Sequence, residues 1–403
     1  MSVSSRLAEK LFLGLCSRMK VGHLELTTPD GRRFGFGPED SPTRADMQIR
    51  DPNLYYQMLS QGDWGVGWGF VERKWETSDP RNVALVFMLN EHVFRRTIRW
   101  LNALSPAMRW ITRRNQRDQS REEQVRRRTI GECYDVGNDF FRWVLGPSMV
   151  YTGAIWPHPE ATLEEAQENK LQLVTRKAQI EAHHSVLDLG CGWGTLADHI
   201  HRNTGAKVKG ITLSRNQVEW ARQHYPGCEF EYLDYENITG LYDRIVCVGL
   251  AEHAGRENLD DLMKLVSDHL VPGGRFFLHT MQSYDGVLMA SATERWTSFA
   301  SVAMPNGDTP SMSNLVKAAM NSGQMRILHT ETYGVHYART ALVWRENTVR
   351  HREDIIRAYS EELYRTYIYS WSMGSAAFET GLTLAHIVFE KQAFGAPLKN
   401  AML

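Results

Sequence analysis

The chain has 403 residues, enough for two or three domains, and its 42% hydrophobic and 23% charged residues suit an ordinary globular protein. A formal net charge of -1 excludes a global field that would draw in nucleic acid, so any anionic partner must be met by a local patch. Five scattered cysteines (Cys16, Cys133, Cys191, Cys228 and Cys247) form no CxxC pair and no metal-ligand spacing, so no metal is expected.

An odd number of cysteines without a secretory leader points to a reducing, cytoplasmic setting. Residues 1–13 are too polar for a signal peptide, and no run approaches the ~20 apolar residues that span a bilayer. Residues 24–37 read as a β-hairpin around Pro29-Asp30-Gly31. Residues 83–110 are apolar-periodic and rich in helix formers, with Arg95, Arg96, Arg99 and Arg109 interleaved with Trp100 and Trp110. The mainly basic run 113–128 is either a solvated linker helix or a contact for anionic lipid head groups, where each cation is worth on the order of 1 kcal/mol. Three segments result. Residues 1–112 form a smaller α+β domain of lipid-binding or dimerisation type, 113–130 a basic linker, and 131–403 a catalytic domain.

From residue 185 onward strands and helices alternate. Strands are expected at 185–189, 207–213, 243–248 and 275–280, and helices at 196–203, 215–224 and 259–270, the last ending at Pro272-Gly273-Gly274. Such alternation implies an α/β, Rossmann-like domain whose mostly parallel sheet carries helices on both faces and binds ligands beyond the strands' carboxyl ends.

The strongest motif is Val186-Leu187-Asp188-Leu189-Gly190-Cys191-Gly192-Trp193-Gly194, a strand running into a glycine turn and then a helix. Glycines there let backbone approach a ligand closely. A dinucleotide fingerprint wants an acid at the end of the next strand, yet that strand ends Gly210-Ile211-Thr212-Leu213-Ser214. The acid precedes the glycines instead, at Asp188. The Asp-x-Gly-x-Gly-x-Gly stretch resembles the pattern of class I S-adenosylmethionine methyltransferases, which implies a seven-stranded sheet.

A second cluster, Tyr134-Asp135-Val136-Gly137-Asn138-Asp139-Phe140-Phe141 followed by Tyr151-Thr152-Gly153-Ala154-Ile155-Trp156, resembles the signature of cyclopropane fatty acid synthases and mycolic acid methyltransferases. Further segments fit that family in order: Gly210 to Gln217, Glu252-His253-Ala254-Gly255, Leu278-His279-Thr280, His336-Tyr337-Ala338-Arg339-Thr340, and residues 378–391. The resemblance spans residues 134–392, and the N-terminal part looks like the extra domain of bacterial lipid-acting members.

The resemblance implies a chemistry. The methyl of S-adenosylmethionine is transferred to the cis double bond of an unsaturated phospholipid acyl chain, leaving a carbocation. Loss of a proton from the new methyl closes a cyclopropane ring. In the family a bound bicarbonate ion takes that proton, and its holders map onto Glu252, His279, Tyr337 and the backbone amide of Gly153. A buried anion needs donors aimed at it, which His279, Tyr337 and that amide supply; Glu252 beside an anion should be protonated or hydrogen-bonded through a shared proton. Taken singly, His279 is a satisfied core histidine as readily as a ligand, and Glu252 a helix cap. The cofactor contacts implied are Asp188, Gly190 and Gly192 for the methionine portion, Tyr151 and Thr152 closing over it, Thr212, Ser214 and Gln217 on the ribose side, and Tyr235 and Glu236 at the adenine. Tyr235 is equally a packing residue and Glu236 a solvated acid.

Three departures from the family pattern stand out: Cys133 replaces a histidine, Gly153 a cysteine, and Ala303-Met304-Pro305-Asn306-Gly307 a differently composed loop. They bear on the product, since a reshaped cavity steers the cation toward a methyl-branched or methylated unsaturated chain, finished in one version by a partner redox enzyme. Either product needs an apolar acyl tunnel, for which Met281, Trp296, Phe299, Met304, Met312 and Met320 are wall candidates or ordinary core. The enzyme would reach its substrate as a peripheral protein at the cytoplasmic membrane face, with a homodimer expected from relatives. A non-catalytic lipid- or cofactor-binding protein on the same fold is the reading from another class.

Overall fold

The computed structural model describes residues 3–94, 136–283, 299 and 309–393. Within these the order is α1 (Val3–Cys16), β1 (His23–Thr27), β2 (Arg33–Phe36), β3 (Arg44–Ile49), α2 (Leu54–Gln61), α3 (Asp63–Val71), β4 (Trp75–Glu76) and α4 (Pro80–Leu89). There follow α5 (Asn138–Leu145), α6 (Leu163–Lys177), β5 (Ser185–Leu189), α7 (Thr195–Thr204), β6 (Lys207–Thr212), α8 (Arg215–His224), β7 (Glu229–Tyr232), β8 (Tyr242–Val248), α9 (Ala251–Ala254) and α10 (Leu259–His269). The chain continues through β9 (Leu270–Ser283), α11 (Met312–Asn321), β10 (Met325–Thr332), α12 (Gly334–Arg350), α13 (Arg352–Ala358), α14 (Glu361–Thr380) and β11 (Leu382–Lys391).

Two compact units arise. The described part of the first comprises residues 3–94, Phe299 and 344–380; that of the second comprises 136–283, 309–343 and 381–393. The contiguous division expected from the sequence differs in two respects: residues 344–380 and Phe299, placed there with the catalytic domain, cluster with the first unit. The reason is packing. Tyr369 and Met373 of α14 join the core of Leu24, Met47, Tyr55, Trp75 and Val86. The boundary between 112 and 131 lies outside the described residues, as does the basic run 113–128.

In the first unit the sheet order is β2-β1-β3-β4. The expected hairpin is present, with Leu24 opposite Phe36 and Gly31 in the turn at φ +85°. Helix α4 opens with Pro80 in its first turn after Asp79, whose carboxylate accepts from the Arg81 N–H at 3.0 Å. Within the apolar-periodic stretch that begins at residue 83, the helix ends at Leu89 with Asn90 as its C-cap. That buried amide accepts from the Lys20 N–H at 2.9 Å and donates to the Val21 carbonyl at 2.6 Å, so it is committed to a neighbouring loop. Residues 95–110 lie outside the described set. Phe299 belongs to this unit's aromatic core, with its ring 5.0 Å from that of Tyr369 and 5.8 Å from Trp68.

In the second unit seven strands form one sheet in the order β10-β11-β9-β8-β5-β6-β7. Strands β7, β6, β5, β8 and β9 pair in parallel, while β11 runs antiparallel to β9 and β10. The mostly parallel seven-stranded sheet matches the expectation. Val186, Leu187, Asp188 and Leu189 of β5 are all buried, as a central strand covered on both faces requires. Helix α6 starts with a capping box: the Glu165 N–H donates to Thr162 Oγ1 at 3.2 Å and the Thr162 N–H to Glu165 Oε2 at 2.7 Å. Its buried face carries Ala166, Gln167, Lys170, Leu171, Val174 and Lys177, a helical period that includes two lysines.

Candidate active site

Strand β5 delivers Asp188 and the glycine turn to the edge of a cavity of about 170 Å³. Gly190 takes φ +77°, and a Cβ there would lie 2.7 Å from Leu250 Cδ1, so both conformation and space demand glycine. Tyr151, Thr152, Asp188, Gly190, Gly192, Thr212, Gln217 and Tyr235 all line this cavity. Two expected contacts do not. Ser214 is the N-cap of α8, its hydroxyl receiving the Gln217 N–H at 3.3 Å, and Glu236 is exposed in a short turn after Asp234. Gln217 is positioned from the strand side by Thr212, whose hydroxyl donates to its Oε1 at 2.7 Å.

Several wall residues escaped the sequence reading. Lys170 from α6 is buried, donates to Thr152 Oγ1 at 2.7 Å and faces Asp188. Burial pushes the Lys170 ammonium down and the Asp188 carboxyl up, and the opposite charge of each partner opposes that drift. Asp188 Oδ2 is buried without a hydrogen bond. His253, Trp193, Val174 and Leu250 also border the cavity. The signal for Lys170 was present as a lysine inside the apolar period of Ala166, Leu171 and Val174.

The motifs of the sequence converge here. Asn138 accepts from Trp193 Nε1 at 2.8 Å, and the Phe141 ring packs in tilted contact with Trp193 and Tyr151, its centroid 4.9 and 5.4 Å from theirs. Trp156 donates to His336 Nδ1 through its backbone at 2.8 Å, and Ala154 N–H donates to Thr340 Oγ1 at 3.1 Å. The segments 151–156 and 336–340 are thereby laced together. Cys133, Tyr134 and Asp135 of the same motif fall outside the described residues.

The four candidates for proton removal divide into two pairs. Glu252 is buried at the start of α9, its Oε1 accepting from the Met281 N–H at 2.6 Å while its Oε2 has no hydrogen bond. Burial, only partly offset by that N–H, pushes its carboxyl up to about 7. His279 lies on β9 two residues before Met281, with Nδ1 2.9 Å from His386 Nε2 and Nε2 buried without a hydrogen bond. Burial holds its pKa far below the usual imidazole range, so the ring is neutral. The second pair is Gly153 and Tyr337: a Cβ on Gly153 would lie 2.9 Å from the Tyr337 ring and from Leu384 Cδ2. Leu384 in turn pairs with Met281 across the sheet, which links the two pairs.

The tunnel candidates fare differently. Met281 is buried beside Glu252. Met320 is 73% exposed on α11 and Phe299 is core in the first unit, so neither is a wall of this cavity. Trp296, Met304 and the loop 303–307 lie outside the described residues.

A sheet with this topology and a ligand turn after β5 is that of a class I S-adenosylmethionine-dependent methyltransferase, and the protein is one. Residues 121–387 match the family described as mycolic acid cyclopropane synthetase, and the chain belongs to that family. It is 30% identical over 362 residues to the cyclopropane-fatty-acyl-phospholipid synthase of Escherichia coli, covering 86% of this chain and 88% of that one. It is 33% identical over 265 residues to sphingolipid C9-methyltransferase A of Emericella nidulans, covering 62% of this chain and 49% of that one. Among solved structures it resembles a mycolic acid cyclopropane synthase complexed with SAH and CTAB, with 26% identity and TM-score 0.62 over 66% of this chain and 98% of that one.

Proposed function

We propose that this enzyme methylates the double bond of an unsaturated phospholipid acyl chain and that the product is a cyclopropane ring. The carrying observation is the pair of buried polar atoms without a hydrogen bond, Glu252 Oε2 and His279 Nε2, with Glu252 bonded to the Met281 N–H two residues along β9 from His279. Natural interiors rarely leave such atoms without a partner, and two of them beside one strand support a polar ligand there.

The residues fit the cofactor: the Gly190 turn leaves backbone exposed to a ligand, and the orphaned Asp188 oxygen and Gln217 offer polar contacts in a largely apolar cavity. S-adenosylmethionine held there supplies an electrophilic methyl group. The second set fits a small oxyanion such as bicarbonate, which would supply the base. Glu252, at about 7, holds a proton it shares with such an anion. His279 Nε2, the Tyr337 phenol and the Gly153 amide are the donors that would hold it. Burial of the Glu252 and His279 heads keeps water away from the cation that methylation leaves on the acyl chain.

The lipid assignment rests on the relatives' named activities and on CTAB, an alkyl-chain amphiphile, in a structural neighbour. Among the described residues no helix is long and apolar enough to cross a membrane. The lipid reading has the enzyme meet its substrate peripherally, at the cytoplasmic membrane face. A second reading, methylation without ring closure, is favoured by the C9-methyltransferase relatives and by glycine in place of cysteine at position 153. The test is expression in a host rich in monounsaturated phospholipid, with labelled methionine and NMR of the labelled fatty acid. Ring methylene signals are expected; a methyl on an alkene or saturated chain establishes the second reading, and unlabelled lipid overturns both.

A further inference from the structure

Position 331 of β10, 386 of β11 and 279 of β9 are direct cross-strand neighbours, so Glu331, His386 and His279 form a row on one face of the sheet. Helix α6 lays Lys177 over that row. Its Nζ lies 2.5 Å from Glu331 Oε2, 2.8 Å from Tyr333 Oη and 3.2 Å from His386 Nδ1. His386 Nε2 then meets His279 Nδ1 at 2.9 Å, and the row ends at the unpartnered His279 Nε2. The His386 ring is clamped edge-on by Phe277 and Tyr333, with centroids 5.0 and 4.7 Å away.

We infer that Lys177, acting through His386, fixes the tautomer of His279 so that Nε2 carries the hydrogen and presents a donor to the site. The inference rests on the reading that this site holds an anion. Donor counting supplies the argument, since an ammonium has three hydrogens and no lone pair, and here it has three acceptors. His386 Nδ1 must therefore accept. The hydrogen of a neutral His386 then sits on Nε2 and points at His279 Nδ1, which must accept in turn. The hydrogen of His279 is left on Nε2. Reversal would set an N–H against the ammonium.

The charges around the row agree. Burial lowers Lys177, while Glu331 opposes that shift by hydrogen bond and charge and Arg176 adds to it. Partial burial works against ionisation of Glu331, yet hydrogen bonds from Lys177 and Tyr333 bring it down to about 2, so the acid is charged and holds its ammonium partner. Burial first, then the facing Lys170, Lys177, His279 and His329, keep both imidazoles neutral. In this arrangement His279 cannot itself be the base; it is a donor, and Lys177 and His386 are positioning residues.

The test uses the full chain with ¹⁵N-labelled histidine. NMR is expected to show His279 Nε2 protonated in the native protein and in His386→Gln, whose amide accepts from Lys177 and donates to His279 in the same sense. In Lys177→Met that preference is lost. Turnover on vesicles of monounsaturated phospholipid should fall on the order of 10- to 100-fold in Lys177→Met and His386→Leu and be largely rescued in His386→Gln, with S-adenosylhomocysteine affinity unchanged in all three. An unprotonated Nε2 in the native protein overturns the inference, as does His386→Gln as inactive as His386→Leu. The NMR readout needs no turnover, so a chain inactive on lipid with a protonated Nε2 sinks the lipid reading and leaves the tautomer assignment standing.

Discussion

The ring of Tyr337 lies so close to Gly153 that a single added carbon would sit 2.9 Å from it. The resemblance puts a cysteine at this position, whereas the chain has Gly153, with the Tyr337 ring packed close against it. Gly153→Ala should displace Tyr337, at about 1–3 kcal/mol of stability, and slow turnover on the order of 10- to 100-fold. Cofactor affinity should stay unchanged, since Gly153 does not line the cofactor cavity. Labelled-methyl transfer and isothermal titration check the two halves; equal turnover in both proteins would show that Tyr337 has room to move.

Glu252 carries a pH signature. Its carboxyl stands at about 7 in the folded chain against an ordinary 4.5, so the folded state holds this proton more tightly than the unfolded one. Its stabilising share is therefore complete below 4.5 and lost as pH rises through about 7, a loss of about 3 kcal/mol at the limit. Glu252→Gln cannot ionise and should lose less stability than the native chain between about pH 5 and about pH 8 in urea melts. Parallel curves would mean the carboxyl is ionised when buried.

Gly190→Ala tests the cofactor turn. A φ of +77° and a contact of 2.7 Å with Leu250 leave no room for a methyl group. Strain of about 1–3 kcal/mol at this turn should weaken S-adenosylhomocysteine binding at least about tenfold, read by titration. Unchanged binding would remove the turn from the cofactor site.

Lys170→Met should also act on the cofactor rather than on the lipid. It removes the donor to Thr152 and the cation facing Asp188, whose carboxyl then rises further. The expected cost is about 1–3 kcal/mol in stability, together with weaker cofactor binding. A variant that binds S-adenosylhomocysteine as the native chain does would confine Lys170 to a structural role.

Thr162→Ala removes one half of the capping box of α6 and should cost about 1 kcal/mol in denaturant melts, with no change in KM for either substrate. A larger loss would show that α6 contributes more to the second unit's cooperativity than its cap suggests.

Much of the second unit was legible because its strands are short apolar runs between turn signals, and the glycine turn, Glu252 and His279 carry ordered motifs. Asn90 was not: its amide ends an apolar period by bonding to residues 20 and 21, and sequence spacing holds no trace of that. Nor was the row of Glu331, His386 and His279, which exists only because three strands distant in sequence pair at one register. Ser214 looked like a ligand because it lies in the family-like run from Gly210 to Gln217, yet its hydroxyl is committed to capping α8. Residues 344–380 misled because α14 is apolar in a way that does not say which core it joins.

Helix α6 carries Lys170 toward the cofactor cavity and Lys177 toward the histidines, two turns apart on one face. Inserting or deleting one residue between them would swing one ammonium by about 100° away from its partners. The helix is thus a ruler of set length. Substitutions on its outer side are tolerable, but a chimera with a relative must exchange it whole, with both lysines taken from the same parent.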